Sequence, residues 1–129
     1  MIELFAGITF ALLTVRRTRI SAWARHRAVF PVLLVIIALV YLGFGIAAHD
    51  ATAFRNEALW VALFLGLAFI AYIGPAWLVG LFLIGHGGFD LFHARLFVDP
   101  GMPHWYPLFC ASYDWVLAAF ILTGRATSK

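Results

Sequence analysis

The sequence predicts an all-α protein that forms a transmembrane helical bundle with five spans. Three observations lead to this prediction. Of the 129 residues, 64% are hydrophobic and only 12% are charged. The mean hydropathy is +0.97, far above the usual value for a soluble domain. Five apolar runs also follow one another along the chain, separated by short segments that carry charges, glycine or proline. We expect a single domain, residues 1–129.

The apolar runs define the predicted spans. The first run, residues 2–15, is short for a bilayer, which usually requires about 20 residues. It lacks the positive n-region and the cleavage site of a signal peptide, so we expect it to remain as a first helix. A four-span protein, with residues 2–15 lying on the membrane surface, is the alternative. The other spans are predicted at residues 30–48, 57–73, 76–96 and 105–122.

Capping and turn residues mark the boundaries between the later spans. Asn56 and Glu57 are expected to cap the third helix. Gly74-Pro75 breaks the chain between the third and fourth spans. The turn signal Asp99-Pro100-Gly101 precedes the fifth span, so the fourth and fifth helices are expected to form an antiparallel hairpin.

The basic residues predict the orientation of the bundle. Residues 16–27 hold five arginines and no acid, which places this loop in the cytoplasm by the positive-inside rule. Arg125 and Lys129 fall on the same side, whereas Arg55 and Arg95 fall on the other. We therefore expect a multi-pass protein of the bacterial inner membrane, with a periplasmic N-terminus and a cytoplasmic C-terminus. This topology accounts for the pI near 9.5, and we expect the lipid bilayer, not nucleic acid, as the partner.

A polar stripe runs along the predicted fourth span. His86, Asp90 and His93 are four and then three residues apart, so on a helix of ~100° per residue they fall within an arc of roughly 60°. Ionisable side chains within a span must face a protein interior or a water-filled cavity. The stripe is therefore the predicted functional site.

The fifth span is expected to complete this site in the outer half of the bilayer. A hairpin about Pro100-Gly101 places His86 opposite Asp114 and Asp90 opposite Cys110, with His86 and Asp114 ~15 Å from their helix ends at 1.5 Å per residue. Supporting residues are expected on the same face of the fifth span and near the helix ends: Glu57, His104, Tyr106, Cys110 and Tyr113.

Imidazoles and carboxylates together are suitable ligands for Zn²⁺ or another first-row divalent ion. In this interpretation His86, Asp90 and His93 are ligands, and Asp114 is either a ligand or a catalytic base. The spacing HxxxDxxH lacks the glutamate of the HExxH metalloprotease motif. Alternatively, His93 and His104 are solvated side chains at the membrane interface and do not bind a metal.

Two other interpretations of the stripe do not involve a metal. A proton-transfer or small-ligand site uses the same residue types. Alternatively, the polar side chains only hold the helices together through hydrogen bonds. The single cysteine, Cys110, excludes an internal disulfide and a thiolate cluster made by one chain.

A resemblance to known proteins rests on three strings: GHGGFDLFH at residues 85–93, HWYP at 104–107 and FCASYD at 109–114. The pattern resembles that of small bacterial integral membrane proteins of unassigned function, which implies that the strings form one feature and implies no activity. A second likeness is to membrane hydrolases of the alkaline-ceramidase type, which hold zinc with histidines and an aspartate. This chain has fewer spans and lacks their spaced histidine pair in the last helix.

Two functional hypotheses follow. In the first, the site binds a divalent metal or a small ligand. If the site is catalytic, the expected reaction is hydrolysis of a lipid-like substrate. In the second, the chain is a non-catalytic subunit of a larger membrane complex or of a homo-oligomer. A histidine such as His86 would then be available to ligate a haem or another pigment.

Overall fold

The computed structural model describes residues 1–21 and 26–125, and these residues form five α-helices and no strand. The prediction of an all-helical protein is confirmed. Arg25 and Lys129, which contribute to the predicted charge asymmetry, lie outside the described residues. The helices are α1 (Ile2–Ile20), α2 (Val29–Ala47), α3 (Ala51–Ile73), α4 (Trp77–Leu96) and α5 (Tyr106–Leu122).

The distribution of polar and apolar side chains is typical of a protein surrounded by lipid. Within the described residues, α2, α3 and α4 are long and apolar enough to cross a membrane, and α5 is a shorter apolar helix. Large apolar side chains such as Leu59 and Phe69 are more than 60% exposed. By contrast, five ionisable side chains are fully buried in the bundle: Glu57, His86, Asp90, His93 and Asp114.

Helix α4 lies at the centre of the bundle. It packs most extensively against α5, and it also contacts α3 and α2. Helices α2 and α3 pack against each other as a hairpin, and α1 packs against α5. The polar stripe of α4 is therefore enclosed by side chains from three neighbouring helices.

The two predicted breaks around α4 are confirmed. Gly74 ends α3, where its N–H donates to the carbonyl of Ile70 at 2.9 Å. After α4, the N–H of Gly101 donates to Oδ1 of Asp99 at 2.8 Å and closes the predicted turn. These two breaks place the start of α4 at one end of the bundle and Asp99 at the other.

The predicted start of α3 was wrong. The helix begins at Ala51 instead of residue 57, because the side chain of Asp50 caps it by accepting a hydrogen bond from the N–H of Ala53 at 2.8 Å. Asn56 and Glu57 therefore do not cap this helix. Glu57 lies in its second turn and is fully buried.

The predicted end of α1 was also wrong. The helix continues past residue 15 to Ile20, so Arg16, Arg17 and Arg19 extend it instead of beginning a loop. Arginine has a high helix propensity, and basic side chains are favourable in the last turn of a helix. The apolar run therefore underestimated the length of this helix.

Candidate metal centre

The central cluster, which we define as His86, Asp90, Cys110 and Asp114, lies between α4 and α5. Nδ1 of His86 is 2.7 Å from Oδ2 of Asp114 and 3.5 Å from Oδ2 of Asp90, and these three side chains are fully buried. Each of the four residues offers one ligand atom, and these atoms lie within 4.8 Å of one another. The predicted hairpin geometry, with His86 facing Asp114, is confirmed.

A glycine allows α4 and α5 to approach closely at this level. A Cβ atom on Gly87 would lie 2.5 Å from Nε1 of Trp115, a distance that real side chains do not tolerate. Nε1 of Trp115 instead donates to the carbonyl of Ile84 at 3.2 Å. Because Trp115 follows Asp114 and Gly87 follows His86, this contact helps to hold the carboxylate against the imidazole.

Tyr41 adds a polar group from α2 to the central cluster. Its hydroxyl donates a hydrogen bond to Oδ1 of Asp90, and its side chain is only 1% exposed. Sequence analysis missed this residue. The available signal was that Tyr41 is the one residue with a polar side chain in the apolar run 30–48.

A second group, the loop cluster, consists of Glu57, His93 and Asp99. Nε2 of His93 is 2.5 Å from Oε1 of Glu57, and both side chains are fully buried. Asp99 lies in the α4–α5 loop and is 9% exposed. The ligand atoms of the three residues lie within 4.8 Å of one another. His93 is thus not solvated, since Glu57 and the ring of Phe97, 4.6 Å away, cover it.

The structure divides the predicted set of metal ligands between the two clusters. His93 is two helical turns beyond His86, a rise of ~10 Å at 1.5 Å per residue. The ring of Tyr41 contacts both imidazoles, with its centroid 5.1 Å from that of His93 and 5.8 Å from that of His86. His86, Asp90 and Asp114 therefore share one site, whereas His93 belongs to another.

The remaining predicted residues lie in three different surroundings. His104 is exposed in the turn just before α5 and belongs to neither cluster. The hydroxyl of Tyr113 is 3.0 Å from Oγ1 of Thr14 and is thus directed towards α1. Tyr106 is buried, and its ring contacts that of Tyr41 at a centroid distance of 5.4 Å.

Both clusters contain polar atoms that lack partners. Within the described part of the chain, six buried side-chain atoms accept or donate no hydrogen bond. All six belong to the two clusters: Glu57 Oε2, His86 Nε2, Asp90 Oδ2, His93 Nδ1, Asp99 Oδ2 and Asp114 Oδ1. Leaving such an atom unsatisfied costs about 1–3 kcal/mol, and several carboxylates in one site cannot all ionise without a cation. The clusters therefore have the properties expected of cation ligands.

The donor atoms of the central cluster suit a borderline metal ion. The cluster combines one imidazole, one thiol and two carboxylates, and Zn²⁺ accepts nitrogen, sulfur and oxygen ligands in a four-coordinate arrangement. Such an ion would offset two of the three negative charges carried by the two carboxylates and a thiolate. The buried His/Asp/Cys group is therefore able to hold a metal ion.

A proton path across the whole bundle has less support than a binding site. Beyond Asp114 on the same face of α5, the next side chains are Leu117, Ala118 and Ile121, which are buried and apolar. A proton relay needs a continuous series of titratable groups or waters. On this face of α5 the polar side chains stop at Asp114.

No protein-family model, no curated protein and no solved structure matches the chain.

Proposed function

We propose that this protein is a bacterial inner-membrane protein that binds a divalent metal ion, with Zn²⁺ as the best match, in the central cluster. His86, Asp90, Cys110 and Asp114 are the ligands. One observation carries the proposal: four side chains of the types that bind metals converge in the interior of an apolar bundle, each 2% exposed or less. Side chains of these types are costly to bury without a compensating charge.

The competing interpretation is that the polar side chains only connect the helices. Polar residues with that role should satisfy one another, since each unsatisfied atom opposes association of the helices. Nε2 of His86 and Oδ1 of Asp114 remain without hydrogen-bond partners, and Oδ2 of Asp90 lies 3.5 Å from Nδ1 of His86 without a hydrogen bond. Coordination of a metal ion uses such atoms, which favours binding over a purely structural role.

The same proposal includes five membrane spans, with the N-terminus in the periplasm and the C-terminus in the cytoplasm. The exposed apolar surface of the helices and the arginines near the end of α1 support it. In this arrangement the central cluster lies near the middle of the bilayer. The loop cluster lies towards the periplasm, at the end of the bundle that contains the α4–α5 loop.

The metal proposal is tested with purified full-length protein in detergent, stripped with a chelator, reloaded with Zn²⁺ and dialysed. We expect Asp114→Asn and Cys110→Ser each to lower the bound metal by one ion per chain relative to wild type. Tyr113→Phe is the matched control, because Tyr113 adjoins Asp114 but its hydroxyl pairs with Thr14. Equal metal contents in wild type and in a folded Asp114→Asn protein would contradict the proposal. Circular dichroism and gel filtration establish that each variant is folded.

Hydrolysis of a lipid-like substrate is a second candidate, favoured by a groove between α3 and α4. The groove is open to the apolar surface, and it is lined by residues that include Leu63, Leu81, Gly85 and Gly88. Phe64 and Phe89 line both this groove and a narrow gap beside His86. An acyl chain in the groove would therefore lie next to the central cluster.

In this second candidate His86, Asp90 and Cys110 hold the metal, and Asp114, no longer a ligand, is the base that accepts a proton from an attacking water. The test is to incubate metal-loaded protein with ceramides and phospholipids and to identify released fatty acids by mass spectrometry. We expect release that a chelator and Asp114→Asn both abolish. Absence of products from the metal-loaded wild type would exclude hydrolysis of these lipids. The metal-binding proposal would still stand, because the metal count tests it separately.

A further inference from the structure

We propose that Glu57, His93 and Asp99 form a second divalent-cation site, separate from the central cluster. The three residues come from three parts of the chain: α3, α4 and the α4–α5 loop. Their ligand atoms lie within 4.8 Å of one another, and no side chain is more than 9% exposed. The site therefore depends on the tertiary fold and is not a local cluster of surface acids.

Each residue retains a free coordinating atom. The hydrogen bond between His93 Nε2 and Glu57 Oε1 leaves Nδ1 of His93 and Oε2 of Glu57 without partners. Asp99 accepts from the N–H of Gly101 through Oδ1 and retains Oδ2. Each of the three residues thus has a buried atom with a lone pair that the protein leaves unused.

The charge of the loop cluster also favours a cation. Among the described residues, no lysine or arginine forms an ion pair with Glu57 or Asp99. A protonated His93 would balance one of the two carboxylates and leave the other uncompensated. A divalent cation balances both while His93 remains a neutral ligand.

The path of the α4–α5 loop holds Asp99 in this position. Gly101 packs so closely on the end of α2 that a Cβ atom would lie 2.1 Å from the carbonyl oxygen of Phe44 and 2.8 Å from the backbone nitrogen of Ala48. Only glycine allows this approach. Since the N–H of Gly101 also binds Asp99, the loop is fixed at two adjacent points.

The two sites differ in their ligands. The central cluster includes the thiol of Cys110, whereas the loop cluster offers two carboxylates and one imidazole. The loop cluster is therefore the harder site and suits Mn²⁺ as well as Zn²⁺. The ring of Tyr41 packs against both His86 and His93, so the two sites are neighbours without sharing a ligand.

The test is a metal count on stripped, full-length protein reloaded with Zn²⁺ and dialysed. We expect two ions per chain in wild type, one in Asp99→Asn, one in His86→Ala and none in the double variant. Asp50→Asn is the matched control, because Asp50 lies at the same end of the bundle but is exposed and outside the cluster. It should retain two ions.

Two further variants test the second site in case Asp99→Asn does not fold. Glu57→Gln keeps the shape of the side chain and removes one ligand, and Gly101→Ala displaces the loop without changing any ligand. Both should lose the second ion while the central ion remains. A folded Asp99→Asn or Glu57→Gln protein with the wild-type metal content would overturn the second site.

The loop cluster shares no residue with the central cluster, so the second site does not rest on the proposed function. The metal counts distinguish failure of one site from failure of the other. One ion in wild type that is lost in Asp99→Asn and kept in His86→Ala would support the loop cluster and contradict the central site. One ion in wild type that is kept in Asp99→Asn and lost in His86→Ala would contradict the loop cluster and support the central site. A wild-type protein that retains no ion after dialysis would contradict both.

Discussion

Tyr41 of α2 donates a hydrogen bond to Oδ1 of Asp90 on α4, and both side chains are excluded from solvent. The structure thereby attaches the α2–α3 hairpin to the helix that carries the polar stripe. The other carboxylate oxygen of Asp90 faces Nδ1 of His86 at 3.5 Å. Tyr41 therefore contributes to the orientation of a proposed metal ligand.

We expect Tyr41→Phe to lower the free energy of unfolding by about 1–3 kcal/mol, because it leaves Oδ1 of Asp90 buried without a donor. The measurement is unfolding in mixed detergent, followed by circular dichroism. Tyr72→Phe is the control, since Tyr72 is 42% exposed and lies near the end of α3. If the two variants have the same stability, the Tyr41–Asp90 bond does not contribute to the fold.

A second prediction concerns the contact between α1 and α5. A Cβ atom on Gly7 would lie 1.9 Å from Oγ of Ser112 and 2.3 Å from the carbonyl oxygen of Phe109. The carbonyl belongs to the backbone, so Gly7→Ala must push the two helices apart. We expect a loss of about 1–3 kcal/mol in the free energy of unfolding, as for other overpacked interiors.

Gly43→Ala is the matched control for Gly7→Ala. Gly43 is also a helical glycine, but a Cβ atom there would meet no atom within 4 Å. Its replacement should leave the protein as stable as wild type or slightly more stable, because alanine has the higher helix propensity. Equal destabilisation by both changes would show that α1 does not pack on α5 as described.

The helices themselves could be predicted because each contains a long apolar run. Their ends were less predictable. Residues 51–56 contain an arginine and an asparagine and therefore resembled a loop, although Asp50 supplies the cap that starts α3 there. Composition indicates where a chain is apolar, whereas a helix ends where its backbone groups find other partners.

The central cluster was partly predictable because it depends on one hairpin. The turn at Asp99–Gly101 sets the register of α5 on α4, and this register brings Asp114 to His86. The pairing of Glu57 with His93 depends on how α3 is rotated against α4. Side-chain packing between helices far apart in sequence determines that rotation, and the periodicity of either helix alone does not reveal it.

A third prediction tests the number of spans. Cysteines introduced by Ile2→Cys, His104→Cys and Ala76→Cys lie at exposed positions. With five spans, a membrane-impermeant maleimide applied to intact spheroplasts should label residues 2 and 104, and residue 76 should react only after lysis. Wild type, whose Cys110 is 2% exposed, gives the background. Labelling of residue 104 without residue 2 would instead support four spans, with α1 on the cytoplasmic surface.

A fourth prediction uses the thiol that distinguishes the two proposed sites. Cobalt bound to a thiolate gives an intense charge-transfer band in the near ultraviolet, which nitrogen and oxygen ligands do not give. Because Cys110 is the single cysteine of the chain, Co²⁺-loaded wild type should show this band and Cys110→Ser should lack it. Asp99→Asn should keep the band while it loses one ion, since Asp99 belongs to the loop cluster. A band that persists in Cys110→Ser would show that it does not arise from cobalt bound to Cys110. Cobalt-loaded wild type without the band would show that Cys110 is not a ligand.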